Sequence, residues 1–129
     1  MHPAILDILS QVAISNTTRN FLYGFPYTDI VRVNEDEVAI KIAMAGIKKE
    51  NIKVKLIPRG NCQLLEISGD FEKEDESGYV IRNIARRSVR RTFQLLKTEE
   101  VVKTTYIDGI LSVHVKQAIP EPPTEIPVE

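Results

Sequence analysis

The sequence predicts an all-β protein in which two antiparallel sheets pack face to face over residues 27–117. Three observations carry that expectation. Apolar residues recur there with period two in short runs, so each run has one dry and one wet face. Turn residues separate the runs at short intervals, and helical periodicity is absent from the stretch. Six or seven strands at this spacing suit a sandwich.

The elements follow in order. Residues 1–26 carry only Asp7 and Arg19 as full charges. Within them Ile5, Leu6, Ile8, Leu9, Val12 and Ala13 predict an amphipathic helix of about two or three turns. Such a helix is too short to stand alone in water, so it is buried against something or mobile. A polar Ser15–Asn20 stretch ends it, and Phe21, Leu22, Tyr23 and Phe25 then cluster before Pro26. That cluster is a sticky arm or a self-association element.

The strand runs begin with Val38, Ile40, Ile42 and Met44, and continue with Ile52, Val54 and Leu56. Leu65 and Ile67, Val89 to Leu95, and Leu111, Val113 and Val115 complete them. Gly46, Gly60, Gly69 and Gly109 mark corners. Asp108-Gly109, between Thr104–Tyr106 and Ile110–Val115, predicts a tight hairpin.

One stretch departs from the pattern. Residues 70–76 hold five acids, and residues 79–91 hold five arginines and no acid. Phosphate binding fits poorly, because the neighbouring acids repel it and aromatics do not interleave with the arginines. Two readings stay open: a solvated strand edge balanced by its own acids, or a self-complementary arm that reaches a second copy. Arg91 stands apart, since alternation puts it on the dry face with Val89, Phe93 and Leu95. A buried charge needs a partner. The pattern points to a carboxylate at an interface, the alternative being a rim position where Arg91 snorkels to water.

The last ten residues contain four of the seven prolines, which forbids a helix or central strand there. An extended arm is the default, and in it Ile126 and Val128 point the same way. It is either a solvated tail or a two-knob peptide that docks into a groove on another subunit.

Composition narrows the function classes. The chain has 129 residues, 43% hydrophobic, with 17 Lys+Arg against 18 Asp+Glu. That is one domain's core with no overall attraction for nucleic acid or an anionic membrane. A lone Cys62 builds neither a disulfide framework nor a cysteine zinc site, and a reducing cytoplasmic location is expected. No apolar run is long enough to span a bilayer, and no secretory signal is read at the start. His2 and His114 are too few for a catalytic or metal constellation, and no phosphate-cradling glycine loop occurs. No enzyme, cofactor or metal is expected.

Several segments taken in order resemble the small heat shock protein family with its α-crystallin domain. Phe25-Pro26-Tyr27-Thr28-Asp29-Ile30 is similar to the family's Phe-Pro-Pro-Tyr-Asn-Ile. Ala45-Gly46-Ile47 followed by Lys49-Glu50-Asn51-Ile52 resembles its Ala-Gly-Phe and Lys-Glu-Asp-Ile turn. Leu65-Glu66-Ile67-Ser68-Gly69 matches Leu-x-Ile-x-Gly, and Asp108-Gly109-Ile110-Leu111 stands where the family has Asn-Gly-Val-Leu. Residues 79–95 are especially like the bacterial inclusion-body-binding branch, and Ile126-Pro127-Val128 matches the Ile-x-Ile/Val tail. Asn83, Val89 and Thr104 depart from the pattern, and the N-terminal arm is short.

The resemblance implies an immunoglobulin-like antiparallel β-sandwich at 27–117 between an apolar arm, 1–26, and a proline-rich tail, 118–129. It implies an ATP-independent holdase chaperone, a dynamic homo-oligomer of dimers whose partners are itself and non-native client proteins. A loop at about 70–85 would carry the strand exchanged in the dimer, with Tyr79, Ile81, Ile84 and Arg91 at the interface. Ile126 and Val128 would anchor the tail in a groove near Val54 and Leu56. Ile5, Leu6, Leu9, Val12, Phe21, Leu22, Tyr23 and Phe25 would bind clients. The alternative is a non-catalytic β-sandwich module, co-chaperone-like, that binds a folded partner.

Overall fold

A computed structural model describes residues 24–84, 86–117 and 124–129. The strands are β1 (Thr28–Asn34), β2 (Glu37–Ala43), β3 (Ile52–Arg59), β4 (Cys62–Gly69), β5 (Val89–Leu96), β6 (Glu99–Ile107) and β7 (Ile110–Gln117). They form two antiparallel sheets, one ordered β1-β2-β7-β6 and the other β3-β4-β5. The one helical element among the described residues is a 3-10 turn at Lys49–Asn51. The expected all-β sandwich is therefore the observed fold. The short helix expected at Ile5–Ala13 lies outside the described residues.

The dry faces meet as predicted. Val38, Ile40, Ile42, Leu111, Val113 and Val115 from one sheet pack on Leu65, Ile67, Val89, Phe93 and Leu95 from the other, with Met44 and Ile47 closing one end. Alternation is cleanest in β5 and β7, where buried and more exposed positions follow one another without a break. The β6–β7 connection is the predicted two-residue hairpin, with both residues at positive φ, Asp108 at 55° and Gly109 at 76°. Both suit a type I′ turn. A side chain at Gly109 would also run into Ala45, whose Cβ lies 2.9 Å from where the new Cβ would sit.

Two elements were not read from the sequence. β1 shows no clean alternation, because a register shift between Arg32 and Asn34 sits inside it. The first half of β6 was missed for the same reason, a shift between Val101 and Lys103. Buried polar groups close the β5–β6 crossover. The Gln63 amide donates to the carbonyls of Leu96 and Glu99, and the Leu96 amide donates to the buried Glu99 carboxylate at 3.1 Å.

Candidate functional site

Stacking a three-stranded sheet on a four-stranded one leaves β3 and β6 as edges on one side and β1 and β5 as edges on the other. Unpaired edges are where another chain can add. The candidate surfaces lie along them.

On the first side, Ile52 and Val54 of β3 face Thr104, Thr105 and Tyr106 of β6 across a cleft of about 290 Å³, with Lys49 and Leu111 completing it. Val54, one of the two groove residues the resemblance implies, lies in this lining. Leu56 does not, and stays on the exposed part of β3 beside Ile57. Tyr106 was not anticipated. Its hydroxyl sits 2.6 Å from the Met44 carbonyl oxygen and 2.8 Å from that of Ile47, one proton serving both. It ties β6 to the turn before β3 and sets the cleft wall.

Burial raises the Tyr106 pKa above its ordinary 10.0. The neutral phenol is therefore favoured in the fold. Its contribution is fully present below pH 10 and is lost as pH rises through the higher folded value. Tyr106→Phe should cost about 1–3 kcal/mol at neutral pH, since the Ile47 carbonyl loses the phenol and the Met44 carbonyl keeps only the Ile47 amide at 3.1 Å. It should also flatten the alkaline fall in stability, which denaturant titrations at pH 8 and pH 11 would read. An unchanged alkaline slope would refute the assignment.

On the second side runs residues 70–88, which contain no strand among the described residues. The acidic and basic runs meet within the one chain. The Tyr79 hydroxyl donates to Glu74 at 2.9 Å and accepts from Arg86 at 2.5 Å. Arg86 also pairs with Glu74, and Arg82 with Glu76. Both guanidiniums lie over the Tyr79 ring, 5.6 and 5.4 Å from its centre. Lys48 anchors the start of the loop at 2.8 Å from Glu72, and that contact holds the Glu72 carboxyl below its usual range.

The charges pair with one another at the loop surface, and the apolar side chains beside them are left exposed. Ile81 and Ile84 are exposed, and Val80, which the sequence reading did not single out, is 97% exposed. Tyr79, Ile81 and Ile84 are thus all exposed on this loop. Arg91 does not join them, and is 2% exposed inside the single chain. Its Nε donates to the Thr28 hydroxyl at 3.2 Å, and one terminal nitrogen donates to the carbonyls of Gly24 at 2.8 Å and Pro26 at 2.7 Å. The sequence pointed to a carboxylate at an interface. Within the chain its acceptors include a hydroxyl and backbone carbonyls where the chain enters β1. Burial lowers the Arg91 pKa from its ordinary value, and these hydrogen bonds offset part of that cost.

Phe25 is exposed, with the Arg87 guanidinium 4.8 Å from its ring centre. The other arm residues proposed to meet clients, Ile5, Leu6, Leu9, Val12, Phe21, Leu22 and Tyr23, lie outside the described residues. In the tail Ile126 is exposed and Val128 is 98% exposed. His114, expected on the wet face, is half-buried there, its Nδ1 3.0 Å from a Glu37 carboxylate oxygen.

Among the described residues no group of three or more His, Cys, Asp or Glu is placed to hold a metal. None of their helices is long and apolar enough to cross a membrane.

Two antiparallel sheets packed face to face, with unpaired edges on both sides, define a β-sandwich protein. Residues 30–129 match the Hsp20/alpha crystallin family, and the chain belongs to it. Small heat shock protein HspE of Bradyrhizobium diazoefficiens is 30% identical over 97 residues, 75% of this chain and 62% of that protein. The chain therefore spans less than two thirds of that relative. Small heat shock protein IbpA of Salmonella typhimurium is 27% identical over 99 residues, 76% of this chain and 69% of the relative. The resemblance to the inclusion-body-binding type thus extends to relatives of that name. A small heat shock protein from Xylella fastidiosa shares the fold with a TM-score of 0.65 at 20% identity, covering 82% of this chain and 97% of that one. The C-terminally truncated AgsA of Salmonella typhimurium does so with a TM-score of 0.60 at 23% identity, covering 81% and 100%.

Proposed function

We propose that this chain is an ATP-independent holdase chaperone of the cytoplasm, working without catalysis as a dynamic homo-oligomer built from dimers. The observation that carries the reading is where exposed apolar side chains gather. The five most exposed stand on segments outside the sandwich, Val80, Ile81 and Ile84 on the loop and Ile126 and Val128 on the tail. Side chains so placed have no partner in their own core and suit contacts with other chains.

In this reading the loop of one subunit adds to the sheet edge of another. β1 is suited to receive it, being an open edge that carries exposed Val31 and Val33. The tail knobs enter the β3–β6 cleft of a neighbouring dimer. The N-terminal arm covers apolar surface on partly unfolded clients before those clients meet one another, so protection follows from mass action. Deleting residues 1–23, which leaves Gly24 to Arg91, should abolish suppression of heat aggregation in a model client while strand content by circular dichroism is retained. Unchanged protection would sink the role given to the arm.

A further inference from the structure

The outer face of the four-stranded sheet is apolar along one row. The Ala43 amide donates to the Tyr27 carbonyl at 3.0 Å, Ala43 pairs with Ile110, and Ile110 pairs with Ile107. Cross-strand partners share a face, and the buried Ile42 and Leu111 one residue along take the inner side. Tyr27, Ala43, Ile110 and Ile107 therefore form one continuous outward row, with Tyr27 69% and Ile107 64% exposed. The next row, Asp29, Lys41, Ser112 and Thr105, is polar.

We propose that this row is the docking site for the chain's own N-terminal segment, residues 5–12. Arg91 grips the carbonyls of Gly24 and Pro26, so the arm leaves the domain three residues before the first side chain of the row. Four side chains offer far less than the ~800 Å² per partner that a stable complex of folded proteins buries. A short tethered peptide suits so small a site, because tethering replaces intrinsic affinity with local concentration. The intervening residues, 13–23, reach up to ~38 Å when extended, while the four strands place the ends of the row only ~14 Å apart. Ile5, Leu9 and Val12 follow helical spacing, which puts them on one stripe ~10 Å long. The one full charge within residues 1–18 is Asp7, so little solvation is lost on docking.

A docked arm is withheld from clients, and its release makes it available. This step rests on the holdase reading, whereas the placement of the arm does not. The test therefore reads placement, in the full chain. Hydrogen exchange followed by mass spectrometry should show residues 5–12 exchanging about fivefold faster in Ile107→Ser/Ile110→Ser than in the parent, with β2 and β7 unchanged. Both substituted side chains are exposed, so the sandwich tolerates them. In a Cys62→Ser background, Leu9→Cys with Ile110→Cys should give a disulfide within one chain under mild air oxidation. Unchanged exchange over residues 5–12, a disulfide formed only between chains, or none at all would overturn the proposal. Faster exchange over residues 5–12 with no gain in client protection would leave the placement standing and count against the holdase reading.

Discussion

Arg91→Ala is expected to lower the unfolding midpoint by about 15 °C or more, a loss of at least ~3 kcal/mol for a domain of this size. The guanidinium sits between the sheets, 2% exposed, with hydrogen bonds to Gly24, Pro26 and Thr28. Each buried acceptor left without its donor costs about 1–3 kcal/mol, and the vacated side-chain volume adds a cavity cost. Thr28 softens the loss only partly, since its hydroxyl already donates to the Pro26 carbonyl at 2.9 Å. Arg91→Lys keeps the charge but loses the planar fork that reaches Thr28 and the two carbonyls together, so it should fall between parent and alanine variant. Thermal unfolding by circular dichroism orders the three. An alanine variant within about 1 kcal/mol of the parent would show that the fork is not what holds β5 to the start of β1.

Arg91 also shows what could be read from the letters and what could not. Its burial was legible, because alternation along β5 put it in register with Val89, Phe93 and Leu95. Its acceptors were not. They are mainly backbone carbonyls, which every residue carries, brought from more than sixty positions away by the fold. The cleft divides in the same manner: alternation puts Ile52 and Val54 on one face of β3, whereas Thr104 and Tyr106 come from an edge strand whose period is broken by a register shift. In the loop the opposed charge runs were plain, and pairing within one chain or between two was equally compatible with them. Geometry closes Glu74, Tyr79 and Arg86 into one cluster and so leaves Val80 outermost. Buried Glu99 and Gln117 had no signal, since strand ends meeting at a crossover decide their burial.

In the proposed oligomer, changing Ile126 and Val128 together to alanine should reduce the particle to dimers. In an extended chain these two side chains point the same way ~7 Å apart, the spacing that also separates Ile52 and Val54 on the β3 wall. The two knobs can therefore seat on two successive inward positions of one strand. Burying each aliphatic side chain yields about 1.5–3 kcal/mol, and ordering the tail offsets much of it at about 1 kcal/mol or more per residue fixed. Pro127 reduces that offset by holding the backbone extended before contact, so Pro127→Gly should weaken assembly by about 0.4–1 kcal/mol without abolishing it. One tail contact is thus marginal, while a closed set of them is stable because each contact raises the local concentration for the next. The double alanine variant weakens every contact at once, so the loss is multiplied across the particle. Size-exclusion chromatography with light scattering would read it, with Thr104→Trp, which fills the cleft from an exposed position, expected to give the same smaller species. If the alanine variant keeps the parent's mass, the tail does not hold the assembly together, and the cleft between β3 and β6 must serve another segment.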